Sequence, residues 1–142
     1  MTQQITNPFQ FDLVSPEGIV VSEDVGMVVI PGQTGEIGVL ANHAPLLSSL
    51  QPGVLRTVRV DGTEDMFFVT GGVADINGNL CTVLAEEAVN LNKLDADEIR
   101  EAVEKLREEQ ENHIGMEEEH YIQRQIEIMV AKLDAIHAYD MT

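Results

Sequence analysis

The sequence predicts an α+β chain in two parts: an N-terminal antiparallel β-sandwich over residues 1–90 and a C-terminal antiparallel helical hairpin over residues 91–142. Three observations carry this. All five prolines and ten of the eleven glycines fall before residue 80, and only Gly115 lies beyond it. The first part holds short apolar runs broken by turn residues at close intervals, as a sandwich or barrel requires. The second part holds two apolar stripes at helical spacing, each opened by acidic residues that suit the positive end of a helix dipole.

Residues 9–13 alternate apolar and polar, the pattern of a strand with one buried face. Residues 25–30 form a β-branched run that stops at Pro31-Gly32. Residues 31–38 are glycine-rich, but they lack the Gly-Lys-Ser/Thr ending of a phosphate cradle and no helix follows, so a turn is expected. His43, ahead of Ala44-Pro45, is expected in a loop. Residues 54–60 and 66–69 flank Asp61-Gly62, which predicts a tight hairpin with positive φ at both turn positions. Residues 73–76 and 80–84 flank Asn77-Gly78-Asn79 and predict a second hairpin.

In the second part, Asp95-Ala-Asp-Glu98 reads as a capping-box variant ahead of Ile99, Ala102, Val103 and Leu106. The chain breaks near Asn112-His-Ile-Gly115. Glu117, Glu118 and Glu119 then open a second helix with the stripe Ile122, Ile126, Met129, Val130, Leu133 and Ile136. The expected packing face of the hairpin is Ile99, Val103, Leu106, Ile122, Ile126, Met129 and Leu133. Such helices are marginal alone, so they must pack on each other, on the sandwich or on a partner.

Charge narrows the function. With 25 acidic residues against 8 basic ones the net charge is −17, which opposes binding to nucleic acid or to anionic lipid. The acids are not spread evenly: residues 1–94 carry −8 and the much shorter stretch 95–142 carries −9. No apolar run is long enough to span a bilayer, so no direct membrane insertion is expected. The first eight residues have neither the basic nor the apolar region of a secretory leader. The single cysteine, Cys81, fits a reducing compartment. Four Phe, two Tyr and no Trp leave little material for stacking bases or sugars.

A search for chemistry returns little. Ser15, Ser22, Ser48 and Ser49 are outside any Gly-x-Ser-x-Gly elbow. His43, His113, His120 and His137 lack the spacing of a metal-binding helix. Cys81 sits in a strand pattern as a buried thiol, and the acids at 117–119 read as a solvated helix start. No catalytic, cofactor-binding or metal-ligating residue is expected. By themselves the residues describe a binding or structural protein, and one such reading is an independent β-sandwich ligand-binding module with a helical dimerisation hairpin.

A set of motifs gives a second reading. Phe11-Asp-Leu-Val-Ser-Pro-Glu17, Val29-Ile-Pro-Gly-Gln-Thr-Gly-Glu-Ile-Gly38 and Asn42-His-Ala-Pro-Leu-Leu47 are followed by Leu50-Gln-Pro-Gly-Val54, Phe68-Val-Thr-Gly-Gly72 and Thr82-Val-Leu-Ala-Glu86. In this order they resemble the epsilon subunit of bacterial F-type ATP synthases, the equivalent of mitochondrial delta. The resemblance covers essentially the whole chain. It implies a β-sandwich and helical hairpin in the central stalk, bound to the gamma subunit and the c-ring, with contacts to beta or alpha through the hairpin. It implies a coupling role without catalysis. It also implies a peripheral place at the cytoplasmic face of the bacterial plasma membrane, or at the mitochondrial inner membrane for an organellar member. Gly35, Glu36, Gly38 and His43 match the family's loop region and are the expected contacts with the c-ring or gamma. An apolar patch on one sandwich face is expected to remain exposed for docking.

The chain departs from the family pattern in two places. Inhibitory members place basic residues in the hairpin, whereas here residues 95–142 carry −9 and the last helix has only Arg124 and Lys132. Strong inhibition of ATP hydrolysis is therefore not expected. Members that bind ATP carry Ile/Leu-Asp-x-x-Arg-Ala at the start of the hairpin. Here the stretch is Leu91-Asn-Lys-Leu-Asp-Ala96, with Asn92 for the Asp and Asp95 for the Arg. Exchanging a guanidinium for a carboxylate opposes a triphosphate, so no nucleotide cofactor is expected.

Overall fold

A computed structural model describes residues 7–112, 115 and 117–139. The strands are β1 (Phe9–Ser15), β2 (Gly18–Val25), β3 (Met27–Gly32), β4 (Gly35–Val39), β5 (His43–Ser49), β6 (Gly53–Val58), β7 (Glu64–Gly78) and β8 (Leu80–Asn90). A 3-10 turn (Leu91–Lys93) leads to α1 (Ala96–Asn112) and α2 (Glu117–Tyr139). The chain divides into two compact units, Met1–Asn90 and Leu91–Thr142.

The strands follow one hydrogen-bonded path, β2-β1-β8-β7-β6-β3-β4, with β5 also on β7. All pairs are antiparallel except β1 with β8. A single path makes two facing layers because β7 changes partners along its length. Its first half, from Glu64 to Val69, pairs with β6, and its second half, from Val73 to Gly78, pairs with β5. Between the halves lie Gly71 (φ 55°) and Gly72 (φ 106°). A Cβ on Gly72 would fall 1.9 Å from the carbonyl oxygen of Leu84. Only glycine fits there, in conformation and in space. Register with β8 is kept through the bend, since Thr70 faces Glu87 and Gly72 faces Ala85.

The core lies between the layers. Phe9, Phe11 and Leu13 of β1, with Ala74, Ile76, Cys81 and Val83, face Val28, Ile30, Val39, Leu55, Phe67 and Val69. Each of the larger side chains contributes on the order of 1.5–3 kcal/mol by leaving water. At the open side between the layers, Arg59 donates to Glu23 of β2 at 3.3 Å and to Asp65 of β7. Those carboxylates raise the Arg59 pKa further, the hydrogen bond to Asp65 being the largest cause.

Several expectations are corrected. Residues 66–76 are not two strands but one bent strand, because the Gly71–Gly72 step turns the chain without ending it. The first hairpin exists, but β6 stops at Val58 and the loop runs over residues 59–63. There the Asp61 carboxylate accepts from the Thr63 N–H at 2.9 Å and its hydroxyl at 2.7 Å, which closes a wider turn with positive φ at Gly62 and not at Asp61. The same bonds lower the Asp61 pKa. His43 is not in a loop: it begins β5, an edge strand, where Pro45 is tolerated because its missing N–H is not needed by a second neighbour.

In the second unit, Asp95 caps α1 by accepting from the N–H groups of Asp97 (2.9 Å) and Glu98 (3.4 Å). Gly115 (φ 82°) turns the chain, and its N–H donates to Glu119 at 2.8 Å. His113, within the expected break, lies outside the described residues. Ile99, Val103, Ile122 and Ile126 are buried, while Leu106, Met129 and Leu133 are only half-buried. Ile128, Lys132 and Ala135 are buried as well. Residues 126–139 are apolar on more than one side, so helical periodicity alone does not choose the buried stripe.

Substituting Gly72→Ala is expected to destabilise the sandwich by at least about 2 kcal/mol, read as a lower urea midpoint at unchanged slope. Gly62→Ala, in open space, serves as the control for positive φ alone.

Candidate functional site

The surface of interest is built by strand alternation. In β1, β7 and β8 the side chains that do not enter the core point outward: Gln10, Asp12 and Val14; Val73, Asp75 and Asn77; Leu80, Thr82 and Leu84. The ladder registers then set these into rows. Val73 is opposite Leu84, Leu84 opposite Val14, and Val14 opposite Ile19. An apolar row thus crosses four strands on one outer face. Leu84 is 53% exposed and Ile19 71% exposed, values that mark side chains with no cover. The neighbouring row runs Leu47, Asp75, Thr82, Asp12 and Ser22, with Leu47 also 71% exposed.

A bulge between Leu13 and Val14 brings Ile19 into this row. Without that shift, alternation along β2 would place a different residue opposite Val14. The patch was expected from the resemblance, but its members were not, because the register of a bulged strand is invisible in one-dimensional pattern.

The structure does not gather Gly35, Glu36, Gly38 and His43 into one loop. Gly35 and Glu36 are exposed at the start of β4, where Gly35 faces Gly32 and Glu36 faces Pro31. That turn is tied to the far end of β5 by the Gln33 N–H donating to the Ser49 carbonyl at 3.0 Å. His43 stands at the other end of β5, opposite Gly78, six residues away from Ser49. At the usual rise this is about 20 Å. Beside His43, the Asn42 N–H donates to the Asn79 side chain at 3.1 Å. Gly38 is exposed midway along β4.

Among the described residues, no group of three His, Cys, Asp or Glu side chains could hold a metal ion. No described helix is long and apolar enough to cross a membrane. At the start of the second unit there is a cavity of about 160 Å³, lined by Leu91, Asn92, Leu94, Ile136 and Tyr139.

Comparison with known proteins places this architecture. The family described as "ATP synthase, Delta/Epsilon chain, beta-sandwich domain" matches residues 8–91. The ATP synthase epsilon chain of Dichelobacter nodosus is 36% identical over 141 residues, spanning 95% of this chain and 99% of its own. That of a Bradyrhizobium strain is 46% identical over 110 residues, spanning 75% and 81%. Among solved structures, a chain in the Euglena gracilis mitochondrial ATP synthase (OSCP/F1/c-ring) aligns with a TM-score of 0.75 at 25% identity, covering 97% of this chain and 84% of that one. A chain in the Tetrahymena thermophila mitochondrial ATP synthase central stalk/c-ring shares the fold at a TM-score of 0.50 and 18% identity, covering 67% and 72%. The chain belongs to the delta/epsilon family of ATP synthase subunits.

Cys81 is fully buried, and burial pushes its thiol up to about 12. It is expected to resist thiol reagents in the native state and to react only on unfolding. The sign of the pH effect follows. Above about pH 9 the unfolded thiol ionises while the folded one stays protonated, so stability falls as pH rises towards 12. Cys81→Ala is expected to flatten that alkaline fall in urea titrations.

Proposed function

We propose that this chain is a non-catalytic rotor subunit of an F-type ATP synthase, seated in the central stalk between the gamma subunit and the c-ring. The single observation that carries the reading is the apolar row Val73, Leu84, Val14 and Ile19 on a sandwich face, with Leu84 and Ile19 exposed and the two valines half-buried, in a chain of this family. A continuous apolar strip on an otherwise acidic surface is what a docking partner covers. That face is assigned to gamma. The β3–β4 turn with Gly35 and Glu36 is assigned to the c-ring, and His43, at the other end of β5, to a separate contact. The setting is peripheral, at the cytoplasmic face of the bacterial membrane.

A sandwich suits this work because two packed layers resist bending. The independent ligand-binding alternative is not favoured, because the matching family and the relative that aligns over nearly the whole chain are ATP synthase subunits. The hairpin's −9 between residues 95 and 142 supports only weak inhibition of hydrolysis, because acidic helices are repelled by an acidic partner segment.

Leu84→Glu is expected to abolish co-purification with gamma while leaving the thermal midpoint within a few degrees of the parent. Normal recovery with gamma would sink the assignment of this face. Deleting residues 95–142 is expected to change ATP hydrolysis by the assembled enzyme less than about twofold, and a large activation would refute the weak-brake reading.

A further inference from the structure

We infer that the partner surface covering this face is an apolar stripe bordered by lysine or arginine, and that Asp12 and Asp75 are the carboxylates that select and steer it. The inference rests on the reading that the outer face docks on gamma, and it adds the chemistry of what docks.

The geometry is fixed by the ladder. Asp75 and Asp12 both face Thr82, one from β7 and one from β1, so they bracket it across three adjacent strands. At the spacing of neighbouring strands their backbones stand about 10 Å apart. The apolar row Val73, Leu84 and Val14 lies two residues along each strand, about 7 Å away. Asp24 of β2, opposite Gln10, extends the acidic border and is exposed.

Among the described residues of the sandwich unit, these carboxylates have no basic partner. The sandwich unit contains two basic residues, Arg56 and Arg59. Arg56 pairs with Glu64 at 3.1 Å, and Arg59 pairs with Glu23 and Asp65. Both arginines are thereby committed to carboxylates that do not belong to this outer face. Among the described residues, Asp12, Asp24 and Asp75 form no ion pair. Asp12 is also held in place: Gln10 Nε2 donates to its Oδ1 at 2.8 Å and Ser22 Oγ donates to the same oxygen at 2.7 Å. Two neutral donors on one oxygen fix the carboxylate and leave Oδ2 directed away from them. A fixed anion on a strand loses little side-chain freedom when a guanidinium or ammonium arrives.

A second copy of this chain is a poor occupant, since two faces of the same sign would meet. An anionic membrane is opposed for the same reason. A basic-bordered protein surface satisfies both the apolar row and its border.

The test is stopped-flow association of the full chain with the gamma subunit of the same enzyme over a salt series. It compares the parent, the double variant Asp12→Asn with Asp75→Asn, and Leu84→Glu. Asn keeps the Oδ1 acceptor, so Gln10 and Ser22 retain their bonds and only charge is removed. The expected result is a parent on-rate that falls with salt, and a double variant about three- to tenfold slower at low salt with a flatter salt dependence. A double variant that keeps the parent's on-rate and salt slope, while Leu84→Glu fails to bind, overturns the inference and leaves the docking face standing. If Leu84→Glu binds like the parent, the docking face falls and the inference with it. Self-association of the parent chain at this face, lost in Leu84→Glu, also overturns it.

Discussion

The bend at Gly71 and Gly72 is the constraint on which the rest of the sandwich depends. β7 serves two sets of neighbours, β6 on one half and β5 on the other, and the glycine pair lets it do so without breaking register with β8. If β7 were straight, β5 and β6 would extend the same flat sheet and Phe11, Leu13 and Val83 would have no facing layer. The core residues come from both sides of this bend. The apolar outer row depends on it too, because Val73 and Leu84 stand just past the bend.

The charge of the molecule has a local logic. In the sandwich both arginines are drawn into clusters with Glu64, Glu23 and Asp65, where Arg59 joins the edge of one layer to the other. Exposed ion pairs of this kind contribute little stability individually, with a median of about 0–1 kcal/mol. Their larger effect is to leave Asp12 and Asp75, on the outer face of β1, β7 and β8, without a sandwich arginine to pair with beside the apolar strip. The same net charge that disfavours nucleic acid therefore also shapes a protein-docking surface.

How much of this was legible beforehand differs by element. β1, the β7–β8 hairpin and both helices were readable because one-sided burial writes a clear period into the sequence. β2, β4 and β5 were not. β2 and β5 are edge strands with mostly exposed side chains, and β4 is rich in glycine, so none shows the alternation that marks a buried face. The exposed face was foreseen in kind, but its rows required the β1–β2 bulge and the parallel register of β1 with β8, which only the assembled ladder reveals. The resemblance set Glu36 and His43 in one loop region, but motif order along the chain carries no distance: Glu36 lies at the β3–β4 turn near Ser49, while His43 begins β5 six residues from Ser49.

The continuous β7–β8 hairpin has a mechanical consequence. In a sandwich whose layers touch only through side chains, a sideways force on one layer reaches the other by sliding apolar surfaces, which resist weakly. Here both layers share a pair of strands, and a force entering at Leu84 runs along covalent backbone past the glycine bend into the opposite layer. The hydrogen bonds between β7 and β8 are then loaded in parallel, in shear, and are not unzipped one at a time. A part built this way resists twisting load as a single bracket.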